Sequence, residues 1–439
     1  MGANPAGAIA PVTAEAAGPR RLEPAEPLLP EDDPFYRSPR ALTRLKPGRI
    51  LRTRPVELAL LGRIPQRISA WQVLFRSTDL NGKPEAAVTT VLLPWGADPR
   101  QARPVVSYQC AIDAVASKCL PSYAFRRGAQ ALGALPQLEL LLITHALTRG
   151  WAISVPDHVG TAGHFGAPRE PGYRVLDGLR ATLAFLGRPP DTRVALQGYS
   201  GGGLATVWAA EEAAAYAPEL NIIAAAIGSP VGDLESTFFR LNGSLFGGLS
   251  TLCLAGLRRA YPDLARGLRE HLDNPSLDLL DRAETSTTIP IMLRGTGTRV
   301  EDLDGGALAA LRTLPHIRTV LTDLQPGDHP PRFPVLAVQG VHDLIISVGN
   351  VDRLVDRYRA EGTAVHYVRD LTGGHIGLGL LAAPLLENWV ADRFAGRPLR
   401  APYTKTVLSL ALSTAALSGY AGVAKVLLRT VTGGPIRST

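Results

Sequence analysis

Ser200 lies in Gly198-Tyr199-Ser200-Gly201-Gly202, a G-x-S-x-G spacing that sets a hydroxyl among residues of minimal bulk. The apolar run Val194-Ala195-Leu196 precedes it, and Leu204-Ala205-Thr206-Val207-Trp208-Ala209-Ala210 follows with helical character. That order reads as strand, sharp turn, helix. Such a turn holds a serine at strained backbone angles, so its neighbours must be tiny, and it exposes the hydroxyl for attack on a carbonyl. The helix that starts there points its positive end at developing negative charge. A glycine-rich turn without chemistry is the plainer alternative; the strand–turn–helix setting argues for a nucleophile.

A serine hydroxyl attacks poorly near neutral pH unless a base takes its proton and an acid orients that base. Where this motif serves acyl transfer, the chain order is Ser, then Asp or Glu, then His. The late apolar run Pro334-Val335-Leu336-Ala337-Val338 ends in Gln339-Gly340-Val341-His342-Asp343, which puts Asp343 on a loop at a strand's end. A last run, 364–368, leads into Leu371-Thr372-Gly373-Gly374-His375. Of nine histidines only His366 and His375 follow Asp343, and His366 falls inside the strand pattern, so His375 is the candidate base. His342 precedes the acid, Asp328 precedes the strand, and Asp370 reads as a surface or turn residue.

The elements that must position these groups alternate. Runs at 71–78, 86–93, 104–109, 151–155, 193–197, 222–227, 334–338 and 364–368 read as strands, most of them continuously apolar as expected for strands covered on both faces. Helical patterns lie between them at 138–148, 173–186, 201–215, 350–361 and 377–394. This is an α/β pattern with a mostly parallel central sheet flanked by helices. From Gly228 to Pro331 the alternation stops; helical stretches such as 254–272 and 307–314 make an inserted helical cap the reading, since a structureless loop of that length is improbable. The expected divisions are a disordered leader (1–30), a first core part (31–228), the cap insertion (229–331), a second core part (332–400) and an apolar C-terminal helix or tail (401–439).

Length and composition fit this plan. The chain has 439 residues, 46% hydrophobic and 19% charged, which allows one enlarged domain or two. Its formal charge of +7 comes from scattered basic residues without a like-charge block, so it reads as solvation and not as a nucleic-acid surface. Met1 to Pro30 lacks the basic start and apolar run of a secretory signal. Cys110, Cys119 and Cys253 are too few for a disulfide framework; Cys110 and Cys119 pair or stay buried thiols. The uncharged stretch 406–424 reads as a packed terminal helix, with a membrane-associated helix or a disordered tail as alternatives.

Further motifs carry a resemblance. Asp32-Asp33-Pro34-Phe35-Tyr36, Ser107-Tyr108-Gln109 with Asp113 beyond it, and Cys119-Leu120-Pro121-Ser122-Tyr123 come first. Pro156-Asp157-His158-Val159-Gly160, Leu176-Asp177-Gly178-Leu179-Arg180, the Ser200 motif with Thr206-Val207-Trp208-Ala209, Tyr216-Ala217-Pro218-Glu219-Leu220-Asn221, and Phe239 with Leu241-Asn242-Gly243 follow in order. From about Asp32 to about Gly396 the chain thus resembles the secretory lipases of fungi and actinobacteria, the Candida antarctica lipase A-like family of α/β-hydrolases. The resemblance implies an α/β-hydrolase fold, a triad at Ser200, Asp343 and His375, and an oxyanion hole at the backbone N–H groups of Gly201 and Asp113. It further implies an ester or lipid substrate, contact with a lipid interface, and secretion or a place in the cell envelope. No metal or cofactor is expected. Tyr108, Tyr199, Phe238, Phe239 and Phe246, with Leu241 and Leu245, are the candidates for lining an apolar acyl site, ordinary core packing being the alternative. The resemblance leaves Cys119 without a cap partner other than Cys253. Rival readings are acyl transfer to an alcohol other than water, a catalytically silent binding or envelope protein, and a peptidase.

Overall fold

The computed structural model describes residues 26–39, 41–297, 315–412 and 414–438; most of the expected leader and the expected helix at 307–314 lie outside them. The described strands are β1 (Ile50–Pro55), β2 (Leu58–Leu60), β3 (Ile64–Gln66), β4 (Ser69–Thr78), β5 (Pro84–Leu93), β6 (Val105–Gln109), β7 (Ala152–Pro156), β8 (Val194–Tyr199), β9 (Ile222–Gly228), β10 (Val335–Gly340), β11 (Val365–Asp370) and β12 (Tyr403–Val407). Ten of these form one sheet in the order β1-β4-β5-β7-β6-β8-β9-β10-β11-β12, and β2 pairs with β3 in a separate hairpin. From β7 to β12 every pairing is parallel; β1, β4 and β5 extend the sheet antiparallel.

Side chains alternate across a strand, so an unbroken apolar run feeds two cores. Val194 and Leu196 of β8 go to one face and Ala195 to the other; Val335 and Ala337 of β10 part from Leu336 and Val338 in the same way. The first face is covered by α3 (Glu170–Phe185) and α4 (Gly201–Tyr216), through residues such as Leu179 and Val207. On the second face lies α2 (Pro136–Thr148), which follows the short α1 (Pro121–Ala124), through Ile143.

Between β9 and β10 the chain leaves the sheet for α5 (Leu234–Leu241), α6 (Gly247–Ala260), α7 (Pro262–His271), α8 (Asn274–Thr285), α9 (Thr288–Arg294) and α10 (Pro315–Asp323). The continuous helix expected over 254–272 is two helices. Pro262 starts α7 and forces the residue before it out of the helical region, and Tyr261 is accordingly extended at φ −124°. The sheet then resumes, with α11 (Val348–Ala360) packing Leu354 on the first face and α12 (His375–Phe394) packing Leu386 on the second.

The eight expected strands all form. The sequence reading missed the short β2–β3 hairpin and also β1 and β12, the two edges of the main sheet, whose half-exposed residues lack a continuous apolar run. The tail expectation is therefore corrected: part of 401–439 is a strand, paired in parallel with β11. The helix beyond it, α13 (Thr414–Val431), packs on the body. Gln66 Nε2 donates to the Thr430 carbonyl at 2.7 Å and Tyr420 Oη to that of Leu381 at 3.2 Å. No described helix is long and apolar enough to cross a membrane. Cys110, Cys119 and Cys253 are all buried free thiols, so neither expected disulfide pairing forms.

Candidate active site

Ser200 stands between β8 and α4 with φ 56° and ψ −121°, backbone angles that cost a non-glycine residue of order 1–3 kcal/mol. The strain is held from outside by close backbone approach. A Cβ on Gly202 would lie 2.0 Å from the Gln109 carbonyl oxygen, and one on Gly201 would lie 1.8 Å from Asp113 Oδ1. At Gly202 the obstacle is backbone, so that position admits only glycine; at Gly201 it is the end of the Asp113 side chain. The turn is therefore wedged against the loop leaving β6, which carries Asp113.

His375 and Asp343 arrive from the neighbouring strand ends. Asp343 follows β10, and His375 is the first residue of α12, two residues earlier than the helix start expected from the pattern. His375 Nε2 lies 2.7 Å from Ser200 Oγ, and His375 Nδ1 lies 2.7 Å from Asp343 Oδ2. In the tautomer with Nδ1–H donating to the carboxylate, Nε2 accepts from the serine hydroxyl. All three side chains are buried. The structure thus joins in one hydrogen-bonded chain three residues that are 143 and 32 positions apart in sequence.

Each member has its own supports. Asp343 Oδ1 accepts from the backbone N–H of Ile345 (2.8 Å) and Ile346 (2.9 Å), and Oδ2 also accepts from Gln339 Nε2 at 3.2 Å. Burial works to raise this carboxyl, but the His375 hydrogen bond and charge, with the two N–H donors, outweigh it and hold it below the ordinary carboxylate value. Tyr199 Oη donates to the His375 carbonyl at 2.6 Å and accepts from Ser229 Oγ at 3.0 Å. Asp370 is a buried turn residue: its Oδ1 accepts from Thr372 and Gly373 N–H, shaping the loop that presents His375.

The Asp113 loop is anchored from behind. His158 Nε2 donates to the Cys110 carbonyl at 2.7 Å, and Ala111 N–H donates to Glu139 Oε2 at 2.7 Å. Burial lowers the His158 imidazole to about 4 and raises the Glu139 carboxyl to about 8, so both are neutral near pH 7. Asp113 itself has φ 40°, and burial, only partly offset by His375, pushes its carboxyl up to about 6. Sequence reading did not find Glu139, Gln339 or Ser229; a polar residue inside an apolar helix or strand was the one visible signal.

A small cavity opens beside Ser200 and Gly201. It is lined by Asp113 and by apolar groups including Phe165, Leu204, Phe238, Leu241 and Ile346. Of the residues expected to line an acyl site, Phe238 and Leu241 line this cavity. Phe239 lines an adjoining cavity, Phe246 packs against the first-face core, and Leu245 is exposed. Tyr108 and Tyr199 are corrected: neither faces the cavity. Tyr108 is buried in the second-face core with its hydroxyl donating to Glu139 Oε1 at 3.3 Å, and Tyr199 lies beneath His375, ring centroids 5.4 Å apart.

A mostly parallel sheet flanked by helices, with a strained serine between strand and helix, is the α/β-hydrolase plan. The fold matches Candida antarctica lipase A with a TM-score of 0.81 and 26% sequence identity, covering 95% of this chain and 100% of that one. The secretory lipase family model matches residues 125–401. Lipase A of Arthroderma benhamiae is 35% identical over 388 residues, 84% of this chain and 81% of its own. A Mycobacterium tuberculosis protein named a probable inactive lipase is 47% identical over 409 residues, 93% of this chain and 92% of its own. The chain belongs to the secretory lipase family.

Proposed function

We propose that the protein is a serine-dependent carboxylic ester hydrolase, a triacylglycerol lipase or esterase that works through an acyl-enzyme. The observation that carries this reading is the unbroken Ser200–His375–Asp343 hydrogen-bond chain beside an apolar cavity. His375 takes the proton of Ser200 as the oxygen attacks the ester carbonyl. The oxyanion is met by the backbone N–H groups of Gly201 and Asp113, donors of a kind worth a few kcal/mol each to such a transition state. His375 gives the proton to the leaving alcohol, and water admitted by the same base frees the acid. Asp343, its charge already favoured by three N–H donors and His375, orients the imidazole and stabilises its charged form. The helical insertion serves as the cap that supplies the acyl pocket, its α5 tied to the acid's loop by Arg240, whose Nη2 donates to the Asp343 carbonyl at 2.7 Å. The donors and acceptors named complete this chemistry with the chain's own residues.

A second reading, a silent protein on a hydrolase fold, is favoured by the name of the Mycobacterium tuberculosis relative. A fluorophosphonate probe and p-nitrophenyl butyrate separate the two. The hydrolase reading expects labelling and turnover by the wild type and loss of both in Ser200→Ala, with an unchanged circular-dichroism spectrum. An unlabelled, inert wild type, or turnover that survives in Ser200→Ala, sinks it.

A further inference from the structure

Two cavities meet in the helical insertion. The one beside Ser200 has a volume of about 50 Å³. The other, about 60 Å³, lies among α5, α6, α7 and α10, where Leu254, Leu264 and Val320 line it. Leu234, Phe238 and Cys253 line both, and so form the partition.

Leu234 and Phe238 are four residues apart on α5 and therefore share a face, with Cys253 of α6 among the same lining residues. Leu234 and Cys253 are buried, while Phe238 is only partly so and is the largest of the three. Its ring meets Phe239 edge to face at 5.2 Å. Interiors are close-packed, with few voids larger than a water, so apolar space left on both sides of Phe238, which packs on the edge of the first-face core, is room that a ligand can take. A water-sized group needs roughly 10–15 Å³ of such volume, so the inner cavity holds roughly four carbon-sized groups. The two joined would hold about twice as many.

We infer that the site selects short acyl chains of roughly four carbons, and that Phe238 sets the limit by closing the way into the second cavity. The inference rests on the hydrolase reading above. An acetyl or butyryl group on Ser200 ends before the ring; an octanoyl group must pass it. Removing the ring joins the cavities, and each further methylene that gains apolar surroundings is then worth roughly fourfold in kcat/KM.

The test is kcat/KM for p-nitrophenyl acetate, butyrate, octanoate and laurate with the full chain. The wild type should peak at butyrate and fall steeply at octanoate. Phe238→Ala should raise the octanoate-to-butyrate ratio roughly ten- to hundredfold, with an unchanged circular-dichroism spectrum to show that the variant is folded. Phe238→Leu should fall between and decides the matter if the alanine variant loses acetate turnover. A wild type that peaks at octanoate or laurate overturns the inference, as does an unmoved ratio in a variant that still turns over acetate. A wild type inert towards all four esters overturns the hydrolase reading and this inference with it.

Discussion

The turn that holds Ser200 and the wall that holds Phe238 face the same cavity but are built in opposite ways. At the turn, the space is filled by backbone and a buried carboxyl: Gly202 abuts the Gln109 carbonyl, Gly201 abuts Asp113 Oδ1, and Ser200 keeps an unfavourable φ between them. At the wall, side chains meet across empty space, and one partly exposed ring divides it. Chemistry needs atoms held to fractions of an ångström, which close-packed backbone provides. Selectivity among acyl chains needs only a volume, which one side chain can alter. The turn should therefore fail sharply when altered, and the wall should retune.

The largest effect expected from breaking that contrast is at Gly201. Gly201→Ala drives a methyl into Asp113 Oδ1 and separates the two proposed oxyanion donors, so kcat for p-nitrophenyl butyrate should fall roughly 10²- to 10³-fold, with a smaller change in KM. An alanine variant with near-native kcat would mean that the turn is as soft as the wall.

Next in size is the cost of burying Asp113. Its carboxyl ionises near 3.8 in the unfolded chain and at about 6 in the fold. Between those values the folded state binds the extra proton, so this group's contribution to stability falls as pH rises from about 4 to about 6 and is level above that. Two units correspond to roughly 3 kcal/mol at most. Asp113→Asn should accordingly unfold at higher urea than the wild type at pH 8, and the advantage should shrink at pH 4. Urea titrations at the two pH values check this, and a variant less stable at pH 8 contradicts it.

The smallest effect is at Tyr199. Its hydroxyl makes a 2.6 Å bond to the His375 carbonyl but does not touch the cavity. Tyr199→Phe removes two hydrogen bonds, of which the one to the His375 carbonyl, worth about 1 kcal/mol, bears on the imidazole, and it should lower kcat roughly fivefold without moving the acyl-chain preference. A shift in chain preference would place Tyr199 at the wall after all.

Sequence reading picked out the ends of the candidate site but not its supports. Ser200, Asp343 and His375 were legible because each lies where a continuous apolar strand stops, and strand ends of a parallel sheet gather on one edge. Tyr199 and Tyr108 were legible as aromatic residues next to site positions, yet strand alternation turns both away from the cavity. Glu139 and Gln339 gave almost no signal, since a lone polar residue in an apolar helix or strand does not name its partner. Near the edges, β1 and β12 escaped because edge strands carry solvent-facing charge and lack the two-sided apolar run.

What the sequence determined by itself is the period of its elements and the chain order of hydroxyl, carboxylate and imidazole. Both are local: apolar patterning sets the strands, and glycine is the one residue type that satisfies the turn. The tertiary structure alone decided that these three groups come within hydrogen-bond reach, that Asp113 is buried against Gly201, and that Phe238 stands between two cavities. Those facts depend on the crossing of helices and strands distant along the chain, and a side chain's surroundings are fixed only when every element packed on it has arrived.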